Sequence, residues 1–299
     1  MTIRSILIAF LVCGAVVACG AEEPAAAAPE APDAVAAPAA GTEKDAAEGA
    51  ANEDPLRPEV SLELGLFGKY VWRMMNYNSH PVLQPDLSAT VYGFTAEIWG
   101  VRDLTKDNRD ASGNLIELDW ALYYGRELEL EGSTLEFSAG MWSYNYPNTD
   151  GASTHELFAT ASIAPAGIGE YFAPGVEIYY DIEDARDALW VQPKITGGYA
   201  LPKLDAPVYA EALNWNLFTG LSNRAYNRFN FVDGNGDALN ETAWVGGGVA
   251  LELPCKIEGA DYLTITPSMQ LTTIWDSDAR DGSDHPDNFM WGLTVGLSF

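Results

Sequence analysis

The chain has 299 residues, 47% of them apolar, with 16 Lys and Arg against 43 Asp and Glu, a formal net charge of −27. That balance excludes nucleic-acid binding, which needs a basic surface to neutralise phosphates. Two of the three cysteines, Cys13 and Cys19, lie in the leader region, so Cys255 is left without an intrachain disulfide partner.

Residues 1–18 read as a lipoprotein-type signal peptide. Arg4 gives the positive start, and Ile6 to Val17 form an apolar run too short to cross a bilayer as a helix. Val16-Val17-Ala18-Cys19 resembles a bacterial lipobox, in which Cys19 is acylated and becomes the mature N-terminus. Ordinary cleavage after Ala21 is the competing reading, and both imply export. Residues 19–58 are rich in Ala, Pro, Glu and Asp and lack aromatic residues. Such a segment buries too little apolar surface to offset the entropy of ordering, so a disordered periplasmic spacer is expected.

Residues 59–299 alternate in period two, the pattern of strands with one apolar face. The first strand is expected over Val60 to Trp72, with Val60, Leu62, Leu64, Leu66, Tyr70 and Trp72 on one side. Val82 to Val91, the tight Tyr92-Gly93 turn and Phe94 to Val101 follow, then Leu115 to Gly125. The next strands centre on Leu135 to Met141, Leu157 to Ile163 and Val176 to Ile182. Leu189 to Tyr199, interrupted by Pro193, and Val208 to Trp215 carry the weakest patterns; Ala243 to Leu253 and Tyr262 to Trp275 are clearer. The last strand places Phe289, Trp291, Leu293, Val295, Leu297 and Phe299 on one face, with small or polar residues between them. No segment reads as a helix.

Twelve strands result, with ten or fourteen as the neighbouring counts. Long polar connections on one side and shorter turns on the other are the asymmetry of an outer-membrane barrel. The fold expected is all-β: a transmembrane antiparallel up-and-down β-barrel of about 12 strands after a disordered linker. Phe299, closing an amphipathic strand, resembles the signal read by the barrel insertion machinery. An edge strand of a soluble sandwich is the alternative source of that pattern. Tyr70, Trp72, Trp99, Trp142, Tyr144, Trp275 and Trp291 fall near strand ends, as an interfacial girdle requires.

The residues out of phase with the apolar face form a candidate lumen lining. The acids are Glu63, Glu97, Glu117, Asp119, Glu136, Glu156, Glu177, Asp181, Glu211 and Glu252; the bases are Lys69, Arg73 and Lys194. Twelve strands lie between the filled eight-stranded barrel and the sixteen-stranded channel, so a narrow lumen is expected. Its excess of carboxylates favours cations.

At the first hairpin, Lys69-Tyr70-Val71-Trp72-Arg73, then Pro81-Val82-Leu83-Gln84-Pro85 and Trp99-Gly100, resemble the TorF-type porin (Gcw_chp) family of outer-membrane β-barrel proteins. The likeness extends loosely over Val60 to Phe299 and departs from the family pattern at Gly68 and Met74, where Ser and Gly are expected. What the resemblance implies is an exported porin-type barrel in the outer membrane of a Gram-negative-type bacterium, with no substrate attached.

Catalytic chemistry has no motif here. His80, His155 and His285 fall in or beside loops without metal-ligand spacing, and Ser153 beside His155 lacks the surroundings of a hydrolase triad. No enzyme activity and no cofactor are therefore expected. Asp233, Asn235 and Asp237 resemble part of a calcium loop without its later ligands, against a plain solvated hairpin tip. Loop acids Asp276, Asp278, Asp281, Asp284 and Asp287 are candidates for divalent cations shared with outer-membrane lipid. The function expected is a narrow, cation-preferring channel for small solutes; a non-conducting structural or adhesive barrel and an outer-membrane hydrolase are the alternatives.

Overall fold

A period-two pattern with apolar residues on one face leaves the chain few choices, because strand edges must be paired before they can enter a bilayer. The computed structural model describes residues 58–105, 115–147, 153–233, 235–239, 243–260 and 262–299. The leader, Cys19 and nearly all of the spacer lie outside the described residues.

Strands β1 (Glu59–Phe67), β2 (Tyr70–Trp72), β3 (Met75–Asn78), β4 (Val82–Val91), β5 (Phe94–Asp103) and β6 (Leu115–Leu130) come first. β7 (Ser133–Asn145), β8 (Ser153–Pro165), β9 (Ala173–Asp181), β10 (Leu189–Ala200) and β11 (Val208–Ala210) follow. β12 (Ala212–Ser222), β13 (Ala243–Glu252), β14 (Cys255–Ile257), β15 (Leu263–Ile274) and β16 (Asp287–Ser298) complete the set. Among the described residues, two short helices, α1 (Arg224–Asn230) and α2 (Ser277–Asp281), correct the reading that no helix is present.

Twelve strands close a ring in the order β1-β4-β5-β6-β7-β8-β9-β10-β12-β13-β15-β16, and β16 returns to β1. The closing ladder pairs Leu62 with Leu297, Leu64 with Val295 and Leu66 with Leu293. Phe299 completes it by exchanging backbone hydrogen bonds with Val60, at 2.9 and 3.1 Å. Every connection in the ring is antiparallel, so the expected architecture stands. β11 and β14 pair with each other beside β15, outside the ring, so the reading of Val208 to Trp215 as one barrel strand divides there.

Prolines inside strands fall where the ladder is broken, since proline has no N–H to donate. Pro193 is flanked by β12 pairs at Val191 and Lys194 but not at 192 or 193. Pro85 sits in the matching gap between the Leu83 and Asp86 pairs with β5. At Gly247 and Gly248 an added methyl would stand 2.6 Å from the Phe218 carbonyl oxygen and 2.5 Å from that of Leu271. These glycines let neighbouring strands close on one another.

The outer face carries exposed Leu62, Leu64, Leu87, Ile98, Leu118, Leu122, Leu157, Ile178, Leu217 and Leu271, spread over eight of the twelve barrel strands. An apolar belt this continuous is unfavourable in water and favourable in hydrocarbon. The protein is a transmembrane β-barrel. No described helix is long and apolar enough to cross a membrane.

The first expected strand ends early. Gly68 donates the last rung to the Trp291 carbonyl at 3.0 Å, and a side chain at Gly68 would collide with the Trp291 ring. The chain then turns inward into the β2–β3 hairpin, a two-stranded sheet with no ladder to the barrel. Trp72 pairs with Met75 across a two-residue tip at which Arg73 and Met74 both have positive φ, 40° and 71°. Non-glycine residues there cost about 1–2 kcal/mol each, so tertiary contacts must hold the tip.

Candidate functional site in the barrel lumen

The hairpin folds into the loop end of the lumen and meets the helical connection before β13. Tyr70 and Trp72 are 1% and 2% exposed, correcting the reading of both as membrane-interface residues. Trp99, Trp142 and Tyr144 are also buried on the inner face, whereas Trp275 and Trp291 are exposed. The physical reason is phase: Trp99 alternates with Glu97 and Val101, not with exposed Phe94 and Ile98.

One apolar cluster spans this end of the lumen. The hairpin contributes Tyr70, Trp72 and Met74, the α1 connection Tyr226, Phe231 and Leu239, and the wall Val101, Tyr144, Tyr179, Trp190, Val245 and Ile274. Tyr77 donates to Asn230 Oδ1 at 3.2 Å, joining hairpin to α1, and Asn288 Nδ2 donates to the Met74 carbonyl at 3.3 Å. Asn78 Nδ2 donates to Asp103 at 2.9 Å near the hairpin base. These contacts seat the hairpin, hereafter the plug, inside the lumen.

Arg73 pins its tip. Its Nη1 and Nη2 donate to the two Glu156 oxygens at 3.0 and 2.7 Å, and the Tyr144 hydroxyl donates to Glu156 at 3.0 Å. The guanidinium carbon stands 3.7 Å from the Trp72 ring centre, 4.3 Å from Tyr179, 5.5 Å from Tyr226 and 5.6 Å from Trp190. A fork-on-fork pair inside aromatic faces suits a planar cation.

The other candidate residues take varied places. Glu117 and Asp119 are buried on the inner face of β6 beside Tyr70, and Asp119 accepts from the Asn145 N–H at 3.0 Å. Asp181 accepts from Thr154 at 2.5 Å and from the Glu183 N–H at 2.8 Å. Glu177 binds Lys194 Nζ at 2.6 Å, Tyr179 at 3.1 Å and Gln192 at 3.2 Å. Glu97 accepts from Tyr123 at 3.1 Å, and exposed Glu136 accepts from Ser162 at 3.1 Å.

Glu63, half-buried on β1, lies opposite Asp86 of β4, and the Asp86 carboxyl stands against that of Glu97. Glu252 of β13 is half-buried and faces Glu63. Lys69 occupies the bend between β1 and β2. Glu211 is half-exposed in the break between β11 and β12, 3.7 Å from Lys256 Nζ. Sequence reasoning missed Asp86 and Asp103. Asp86 shares the phase of Gln84 and Ser88, opposite Leu83 and Leu87, and that was the available signal.

Three of the loop candidates, Asp233, Asp276 and Asp287, use their oxygens internally. Asp233 accepts from the N–H groups of Asn235 and Asp237 at 2.8 and 3.0 Å, and those groups hold its carboxyl below the ordinary Asp value. Asp276 caps α2, accepting from Asp278 and Ala279 at 3.0 Å each, and Arg280 pairs with Asp287. Among the described residues no group of three or more His, Cys, Asp or Glu side chains is placed to hold a metal ion. His155 faces outward and contacts Glu183.

No family model matches the sequence, and no curated protein matches it. Among solved structures, the chain is similar to an outer membrane channel from Pseudomonas putida F1, with 12% identity over 84% of this chain and 98% of that one, at a TM-score of 0.46. It is similar to the NanC porin, with 12% identity over 80% and 98% of the two chains, at a TM-score of 0.41. The outer membrane protein OprD from Pseudomonas aeruginosa gives 10% identity over 80% and 65%, at a TM-score of 0.33. The barrel described above rests on its own strand pairing and apolar belt, not on these likenesses.

Proposed function

We propose that the protein is a narrow, cation-preferring outer-membrane channel for small solutes, gated by the β2–β3 hairpin. The observation that carries this reading is the charge balance below the plug. Glu63, Asp86, Glu97, Glu136 and Glu252 belong to no ion pair among the described residues, whereas Glu156 and Glu177 do. A lumen lined by one sign of charge concentrates counter-ions. Membership of the TorF-type porin family, acylation of Cys19, a periplasmic spacer and recognition of Phe299 by the insertion machinery belong to the same reading.

Its test is the reversal potential of the purified protein in planar bilayers across a KCl gradient. The sign expected is that of cation flow, moving toward zero when Glu63→Gln, Asp86→Asn and Glu97→Gln are combined. An anion-selective wild type overturns it. A second reading, a non-conducting structural barrel, is favoured by the buried aromatic cluster across the lumen. It predicts no current even after the hairpin is removed.

A further inference from the structure

Arg73 is recognised as a bound ligand is recognised. Its side chain is 3% exposed, that of its counter-ion Glu156 2%, and both Glu156 oxygens are engaged. The residues that hold it come mostly from the barrel wall: Tyr144 on β7, Glu156 on β8, Tyr179 on β9 and Trp190 on β10. Tyr226 adds a ring from α1, and Trp72 adds one that travels with the hairpin.

The hairpin that delivers the guanidinium shares no ladder with the wall and has two non-glycine residues at positive φ at its tip. Its seat in the lumen therefore depends on side-chain contacts, the guanidinium pair among them. When the hairpin leaves, Tyr144, Glu156, Tyr179 and Trp190 remain on the wall as an acid between aromatic faces.

We propose that these four wall residues form a binding site for guanidinium-bearing solutes, which Arg73 fills as a built-in occupant, so that an incoming solute competes with Arg73 and frees the plug. The proposal rests on the channel reading for its purpose but not for the site itself. The preference is for guanidinium over ammonium. A carboxylate contacted at both oxygens, at 3.0 and 2.7 Å, matches two parallel N–H donors, and a planar cation stacks on rings where a tetrahedral one does not. Asp181 on the adjoining strand adds a further carboxylate, which belongs to no ion pair among the described residues.

The experiment uses the full chain in detergent micelles and arginine amide, which carries the guanidinium without a carboxylate. Calorimetric titration at constant ionic strength compares wild type, Arg73→Ala and Arg73→Ala/Glu156→Gln, each first shown to run as a heat-modifiable band. Arg73→Ala should bind arginine amide at least about tenfold more tightly than wild type, because the vacated site no longer carries its occupant. The double variant should lose that binding, and lysine amide should bind Arg73→Ala more weakly. No binding to assembled Arg73→Ala, or binding indifferent to Glu156, overturns the proposal.

Should Arg73→Ala fail to assemble, Trp72→Ala replaces it, since it removes the ring carried by the hairpin and keeps the ion pair. Arginine amide should then displace Arg73 more readily than in wild type, read as faster tryptic cleavage of the hairpin, and an unchanged rate overturns the proposal. Binding without any current in bilayers would leave the site standing and remove the channel reading, so the two failures are separable.

Discussion

Replacing Glu156 by Gln tests how the plug is held. The substitution leaves the buried Arg73 guanidinium without its counter-ion, and removing one partner of a buried pair costs about 3–5 kcal/mol. Gln retains one acceptor and the four surrounding rings remain, so the lower end, about 3 kcal/mol, is expected. The hairpin has no ladder to the barrel, so the loss falls on its docking and not on the ring of strands. At about 1.4 kcal/mol per tenfold, the undocked population rises by about a hundredfold. Limited trypsinolysis reads this at Lys69 and Arg73, in the regime where cleavage follows the open population. The barrel should keep its heat-modifiable mobility throughout. Equal cleavage of wild type and variant would refute the latch, and a variant that loses the barrel band would show that the ion pair supports the wall instead.

Deleting Phe299 removes both rungs with Val60 and the ring stacked on Tyr262, and should lower the yield of heat-modifiable protein; an unchanged yield would count against a role in closure or assembly. Fatty-acid analogue labelling should mark wild type and not Cys19→Ala, and an unlipidated mature N-terminus would contradict acylation. The Asp233 carboxyl is depressed by backbone donors, so its contribution to loop order is present above the ordinary Asp value and is lost as pH falls through its lower folded value. Protection of the Asn235 and Asp237 amides, each exchange rate divided by its intrinsic rate at the same pH, should therefore be present at neutral pH and lost in acid, with Asp233→Ala unprotected at both.

The ring of strands was legible because each barrel strand keeps one phase against lipid. Even the pattern broken by Pro193 became β10, since the proline sits at a gap in its ladder. The plug was not legible, because Tyr70 and Trp72 return to the even-numbered apolar phase of β1 after a single break at Gly68. Period two distinguishes two faces of a strand but not lipid from a packed lumen. The turn at Gly68 depends on the Trp291 ring, more than two hundred residues away in sequence, and no local pattern encodes it. Trp99 and Trp142 were misread for the opposite reason: their inward phase was visible, and aromatic character was given more weight than register. Buried Glu97, Glu117, Asp119, Glu156, Glu177 and Asp181 follow the register of their strands, whereas the pairing of Arg73 with Glu156 needed the hairpin to be placed first.

Single-channel recording of the wild-type chain beside one in which residues 69–80 are replaced by a short turn tests the central claim, an acid-lined lumen closed by its own first hairpin. The account predicts rare openings for wild type and a steady, cation-selective current for the shortened chain. Equal currents from the two, or a steady current that favours anions, would contradict it.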